Sequence, residues 1–186
     1  GFHQLPRDGN IVSISHNGRY IGKVKEPGQN LELTNQQGEW EGFAIEYDGN
    51  KFALRQVVSG LYFGGQIHNN RTPQLVKKRA DWELFHFESR NNSHVIKNHD
   101  NNLLAVEGDK LIWKSHPNDN EILWNIHTLQ HAPNDFKQGF SAEGTQGQGY
   151  NNGQLHGYLS NWFKNIGQNV QNNNQNSFPA LNEEFA

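Results

Sequence analysis

Residues 8 to 131 of this 186-residue chain predict an all-β fold in which one unit of roughly 40 residues occurs three times, at about 8–48, 49–89 and 90–131. Three observations carry that expectation. Apolar landmarks recur at nearly constant spacing, apolar and polar residues alternate with period two, and turn residues interrupt the pattern every 8 to 12 positions. Residues 132–186 break the repeat and predict an Asn/Gln/Gly-rich tail with one short amphipathic helix at about 153–167.

The landmarks are Val12, Leu54 and Val95, about 42 and 41 residues apart; Tyr20, Tyr62 and Leu103, at the same spacing; and Phe43, Phe85 and Trp124, at about 42 and 39. Three independent positions rarely align this way by chance. Inside the units, Phe43-Ala44-Ile45 and Phe85-His86-Phe87 alternate as half-buried strands do. Asn17-Gly18, Pro27-Gly28, Asp48-Gly49, Ser59-Gly60, Gly108-Asp109 and Pro117-Asn118 supply the turns. Asn-Gly and Asp-Gly accept the positive φ angles of tight hairpins. Four strands per unit give about twelve, and no window up to Gln130 has a helical period.

The first unit, with Ser15-His16-Asn17-Gly18-Arg19-Tyr20-Ile21 and Glu39-Trp40-Glu41-Gly42-Phe43, resembles the repeat of fascin and fascin-like β-trefoils. The second, with Gly60-Leu61-Tyr62-Phe63-Gly64 and Asp81-Trp82-Glu83-Leu84-Phe85, matches nearly as well. The third departs, and its Glu121 is aligned here with Trp40 and Trp82. The likeness covers residues 8–131 and implies a six-stranded barrel capped by three hairpins, with few open strand edges. Val12, Leu33, Phe43, Leu54, Leu75, Phe85, Val95, Leu111 and Trp124 are expected to fill its axis. The resemblance specifies fold rather than ligand, because such trefoils serve many partners.

A formal charge of −3 and a pI near 6.4 argue against nucleic acid as a partner. The chain has no cysteine, which excludes disulfides, thiolate metal sites and thiol catalysis. It has no methionine either, so it reads as a processed or trimmed product whose targeting segment lies out of view. No run approaches 18 apolar residues. G-x-S-x-G, P-loop and H-E-x-x-H motifs are missing, and a non-catalytic protein without a cofactor is expected. Asn70-Arg71-Thr72 and Asn91-Asn92-Ser93 fit glycosylation acceptors; a secreted location is slightly favoured, and the compartment stays open.

Candidate ligand-binding residues are His16 and its neighbours Asn17 and Arg19 in a turn, the basic run Lys77-Lys78-Arg79, and Trp113 as an exposed ring for stacking on a sugar. The ten histidines are scattered without ligand spacing, so no metal is expected. Glu41 and Glu83 hold equivalent repeat positions and belong to the unit rather than to an acid/base pair.

In the tail, Leu155, Tyr158, Leu159, Trp162, Phe163, Ile166 and Val170 form one apolar stripe at helical spacing. Such a short helix is marginal alone and must bury that stripe. The surfaces open to it are the chain's own trefoil, another chain or copy, and, less favoured for a helix with only Lys164 on its polar face, a membrane. The expected function is recognition of a glycan or protein surface, with the tail attaching to a partner or to a second copy. Actin binding or bundling is the alternative that the fascin-like units permit.

Overall fold

A computed structural model describes residues 5–134 and Trp162. Twelve strands occur between Ile11 and Gln130. The first unit holds β1 (Ile11–His16), β2 (Arg19–Gly22), β3 (Glu32–Thr34) and β4 (Phe43–Asp48). The second holds β5 (Lys51–Gln56), β6 (Tyr62–Phe63), β7 (Leu75–Val76) and β8 (His86–Arg90). The third holds β9 (Ser93–Lys97), β10 (Leu103–Glu107), β11 (Lys110–Lys114) and β12 (Asn125–Gln130).

The first and fourth strands of the units close a ring. β12 pairs with β1, β1 with β4, β4 with β5, and β8 with β9. Single bridges, Phe52 to Phe85 and His94 to Trp124, complete the circuit where the longer ladders stop. The second and third strands form the hairpins β2–β3, β6–β7 and β10–β11. Closure leaves few edges open to foreign strands.

Phe43, Phe52, Phe63, Phe85, Trp113 and Trp124 are all buried within one axial cluster. Phe63 meets Phe43, Phe85 and Trp113 edge-on at 5.9, 5.8 and 6.3 Å. Seven of the nine expected core residues belong to this cluster, and Leu33 packs against it half-buried.

Val95 is the exception, lying in a separate small cluster with Ala105 and Ile122. Its neighbour Ile96 faces the axis, because Ile96 opposes Phe87 just as Leu54 opposes Ile45 and Ile14 opposes Ile126. The equivalent set is therefore Ile14, Leu54 and Ile96, and the landmark series Val12, Leu54, Val95 mixed registers. With a side-chain period of two, a one-residue offset moves a side chain to the other face.

A second register correction concerns Glu121. Short 3-10 turns span Glu39–Glu41, Asp81–Glu83 and Asp119–Glu121, so Glu121 is the counterpart of Glu41 and Glu83 rather than of Trp40 and Trp82. The third unit reaches its core aromatic one residue later, at Trp124, and Asn120 takes the tryptophan position.

Three buried polar side chains tie the units together in rotation. Gln56, in the second unit, donates to the carbonyls of Val24 and Trp40 in the first at 2.7 and 2.8 Å. Asn98, in the third, donates to Gly65 O in the second at 2.9 Å. His16, in the first, closes the cycle, its Nδ1–H donating to Leu123 O in the third at 2.9 Å. Each satisfies a backbone carbonyl that burial would otherwise leave unpaired.

Candidate functional site

The three turn glutamates are committed to structure. Glu41 accepts the Lys23 and Gly38 amides at 2.7 and 2.9 Å, and Glu83 accepts Ala80 N at 3.0 Å and Gly65 N at 3.5 Å. Glu121 accepts Asn118 N at 2.8 Å and also pairs with Lys114 at 3.1 Å. Their repeated geometry makes each a cap for its own loop. In the first unit Gly22 belongs to the same device: a β-carbon there would collide with Glu41 Oε2 and crowd Trp40 O, so this close approach requires glycine.

Burial pushes Glu41 up to about 7, against the pull of its two amide donors. The folded chain then holds a proton that the unfolded chain releases near 4.5. This contribution to stability is full below pH 4.5, falls as the pH rises to about 7, and is flat beyond. The fall is on the order of 3 kcal/mol. Burial also raises Glu46 to about 7, against the pull of Arg55 and Arg79. Urea titrations between pH 4.5 and 7 are expected to show declining stability, with a shallower slope in Glu41→Gln; a rise over that interval would contradict the assignment.

Of the seven sequence-derived ligand candidates, Arg19 lines an open cleft. This cleft, of about 420 Å³, lies between the β2–β3 hairpin and the tip of the β10–β11 hairpin. Its walls are Arg19, Lys23, Glu32, Leu33, Thr34, Asn35, Gln36 and Asp109. Arg19 donates to Asp109 Oδ1 at 3.0 Å and to Gly108 O at 3.3 Å, joining the first unit to the third. Lys23 stands 3.8 Å from Glu32 on the exposed side. Charges of both signs, a hydroxyl and two carboxamides thus face one concavity over a single apolar residue.

The other candidates are placed elsewhere. Asn17 is exposed in the turn before β2, where Asn17 and Gly18 take φ of +49° and +78°. His16, expected in that turn, ends β1 with its ring buried as the interunit tie. Lys77 and Lys78 are exposed beyond β7, outside the cleft walls. Arg79 leaves that basic run and turns inward, 2.9 Å from Glu46 and 3.4 Å from Asp48. Trp113, expected as an exposed platform, is 0% exposed and stacks on Phe85 at 5.5 Å.

Sequence reasoning overlooked Lys23, Glu32, Thr34, Asn35, Gln36 and Asp109 as site residues. The available signal was topological: pseudo-threefold closure sets the third unit's hairpin beside the first's, bringing Asp109 next to Arg19. Among the described residues, no group of three or more His, Asp or Glu is placed to hold a metal ion.

Of the stripe residues in the tail, Leu155, Tyr158, Leu159, Phe163, Ile166 and Val170 lie outside the described residues. Trp162 is described: it is helical and 1% exposed, and its ring lies against Gly42.

No family model matches the sequence, and no curated protein matches it. Solved structures do. Cry35Ab1 is similar at 12% identity over 70% of this chain and 39% of its own, with a TM-score of 0.59. A Polyporus squamosus lectin bound to the human-type influenza-binding epitope Neu5Acα2-6Galβ1-4GlcNAc is similar at 12% identity, over 66% of this chain and 50% of its own, with a TM-score of 0.57. The BEL β-trefoil is similar at 15% identity, over 67% and 97%, with a TM-score of 0.59. This chain thus spans half or less of the first two structures. The fold is a β-trefoil; the narrower likeness to fascin rests on the sequence of the first two units.

Proposed function

We propose that this protein is a non-catalytic binding module whose trefoil takes a glycan in the cleft between the β2–β3 and β10–β11 hairpins. The cleft carries the reading. Sugar hydroxyls both donate and accept, and the walls supply guanidinium and ammonium donors, carboxylate acceptors, and a hydroxyl and two carboxamides that do both. Its volume of about 420 Å³ falls in the range of small-ligand sites. The lectin among the similar structures gives independent support for this ligand class. The loop-capping role of Glu41, Glu83 and Glu121 favours binding over acid/base chemistry.

A glycan array probed with the full chain is expected to give a defined set of positives. Asp109→Ala and the double change Asn35→Ala/Gln36→Ala are each expected to weaken binding about tenfold or more, the loss of one or two good hydrogen bonds. These residues are exposed, and the ion pair lost with Asp109 contributes little to folding. A flat array, or binding indifferent to both variants, would overturn the reading. Binding of a protein surface predicts the flat array together with capture of a protein partner that both variants weaken. Actin binding, the alternative suggested by the fascin-like units, predicts co-sedimentation with F-actin.

A further inference from the structure

On its outer side the first unit departs from its two copies. The residue before the core aromatic is Gly42, against Leu84 and Leu123 in the others, and the residue after it is Ala44, against His86 and Asn125. The residue opening the first strand is Ile11, against Lys51 and Ser93. Ile11 pairs with Ala44 across β1 and β4, and Val57 N donates to Gly42 O at 3.1 Å, so the four residues form one patch. Ile11, Ala44 and Val57 stand apart from the axial cluster, yet are only 0, 3 and 0% exposed.

Trp162 lies on that patch. A β-carbon built on Gly42 would fall 2.6 Å from its Cζ2, 2.7 Å from its Cη2 and 3.4 Å from Ile11 Cγ2. The chain also leaves the trefoil beside the patch: Ala132 N donates to Asn10 Oδ1 at 2.8 Å, one residue before Ile11. The residues from 133 to the stripe are ample to return there, at up to roughly 3.3 Å per residue.

We propose that the apolar stripe of the tail docks on the outer face of the first unit of its own chain, with the Trp162 indole filling the space that a leucine side chain occupies in the other two units. Attachment through a short linker raises the local concentration of the stripe to about millimolar, which favours the same chain over a second copy. The tail is then an integral wall of the module, and Gly42 is the residue that admits it.

Chymotrypsin cuts after the aromatic and leucine residues of the stripe, so limited digestion of the full chain reads its docking. The wild-type tail is expected to be cut slowly, at a rate independent of protein concentration over about a hundredfold range. Gly42→Leu and Trp162→Ala are each expected to speed cleavage about tenfold or more while the trefoil fragment survives, because opening of the docked segment becomes cheaper. Should Gly42→Leu perturb the trefoil itself, Trp162→Ala, whose change lies outside residues 8–131, decides. Equal cleavage rates in wild type and Trp162→Ala would overturn the proposal. So would protection that appears only at concentrations where the chain self-associates.

Discussion

Glu46→Ala is expected to destabilise the trefoil by about 3–5 kcal/mol in urea titration, the typical cost of removing one partner from a buried ion pair. Glu46 sits between two guanidinium groups, 3.6 Å from Arg55 and 2.9 Å from Arg79, and accepts the Tyr62 hydroxyl at 3.0 Å. All three charged side chains are 2% exposed or less. Without the carboxylate, two cations stay in a dry site, with Asp48 left beside Arg79. Arg79→Ala is expected to cost less, because the carboxyl it leaves behind keeps Arg55 and burial already favours its neutral form. The informative result is the order of the two variants. Glu46→Ala within about 1 kcal/mol of wild type would mean that water reaches the cluster and screens it.

That cluster also shows where sequence reasoning reached its limit. Lys77-Lys78-Arg79 reads as one basic run, and nothing local separates its third member from the first two. The β4–β5 hairpin sets Glu46 beside Arg55, and the wider fold brings Arg79, beyond β7, against that pair. His16 is a comparable case. It was placed in the turn with Asn17 and Gly18, but it occupies the same relative position as Gln56 and Asn98, where each unit donates to a carbonyl of its neighbour. Three different residue types meet one requirement, a buried hydrogen-bond donor, so an alignment by similarity passes over them.

The threefold architecture was legible because it rests on repeated large apolar side chains, whose burial is worth roughly 1.5–3 kcal/mol each and which recur in every unit. Registers within strands were less so, since an offset of one or two residues preserves apolar character while changing the partner, as with Val95 and Ile96. The cleft was the least legible. Its residues are ordinary surface types drawn from two units far apart in the chain, and only Arg19 stood out locally. The Trp162 contact was half legible: helical spacing required a surface for the stripe, while nothing local marks Gly42 as the glycine that receives the indole.

Trp113→Ala is expected to cost about 3–5 kcal/mol of stability, the usual range for truncating a fully buried tryptophan. The sequence itself carries the signal that sets Trp113 inward. Leu111 was assigned inward, and period two then carries Trp113 inward on the same strand. The observed pairing agrees: Trp113 opposes Leu104 just as Leu33 opposes Ile21 and Leu75 opposes Phe63. Its ring lies 5.5 Å from Phe85 and 6.3 Å from Phe63, so truncation opens a void where the third hairpin meets the second inside the axial cluster. Trp113→Phe separates shape from polarity. The indole Nε1 is buried without a hydrogen-bond partner among the described residues, and a phenyl ring removes that desolvated donor while keeping most of the packing. The two effects oppose one another, and a net change below about 1.5 kcal/mol is expected. Urea denaturation measures both variants, and the glycan array locates their effect. A Trp113→Ala protein of wild-type stability that has lost glycan binding would place this tryptophan at a ligand surface. The core assignment requires the reverse, a large loss of stability, with Trp113→Phe binding as wild type does.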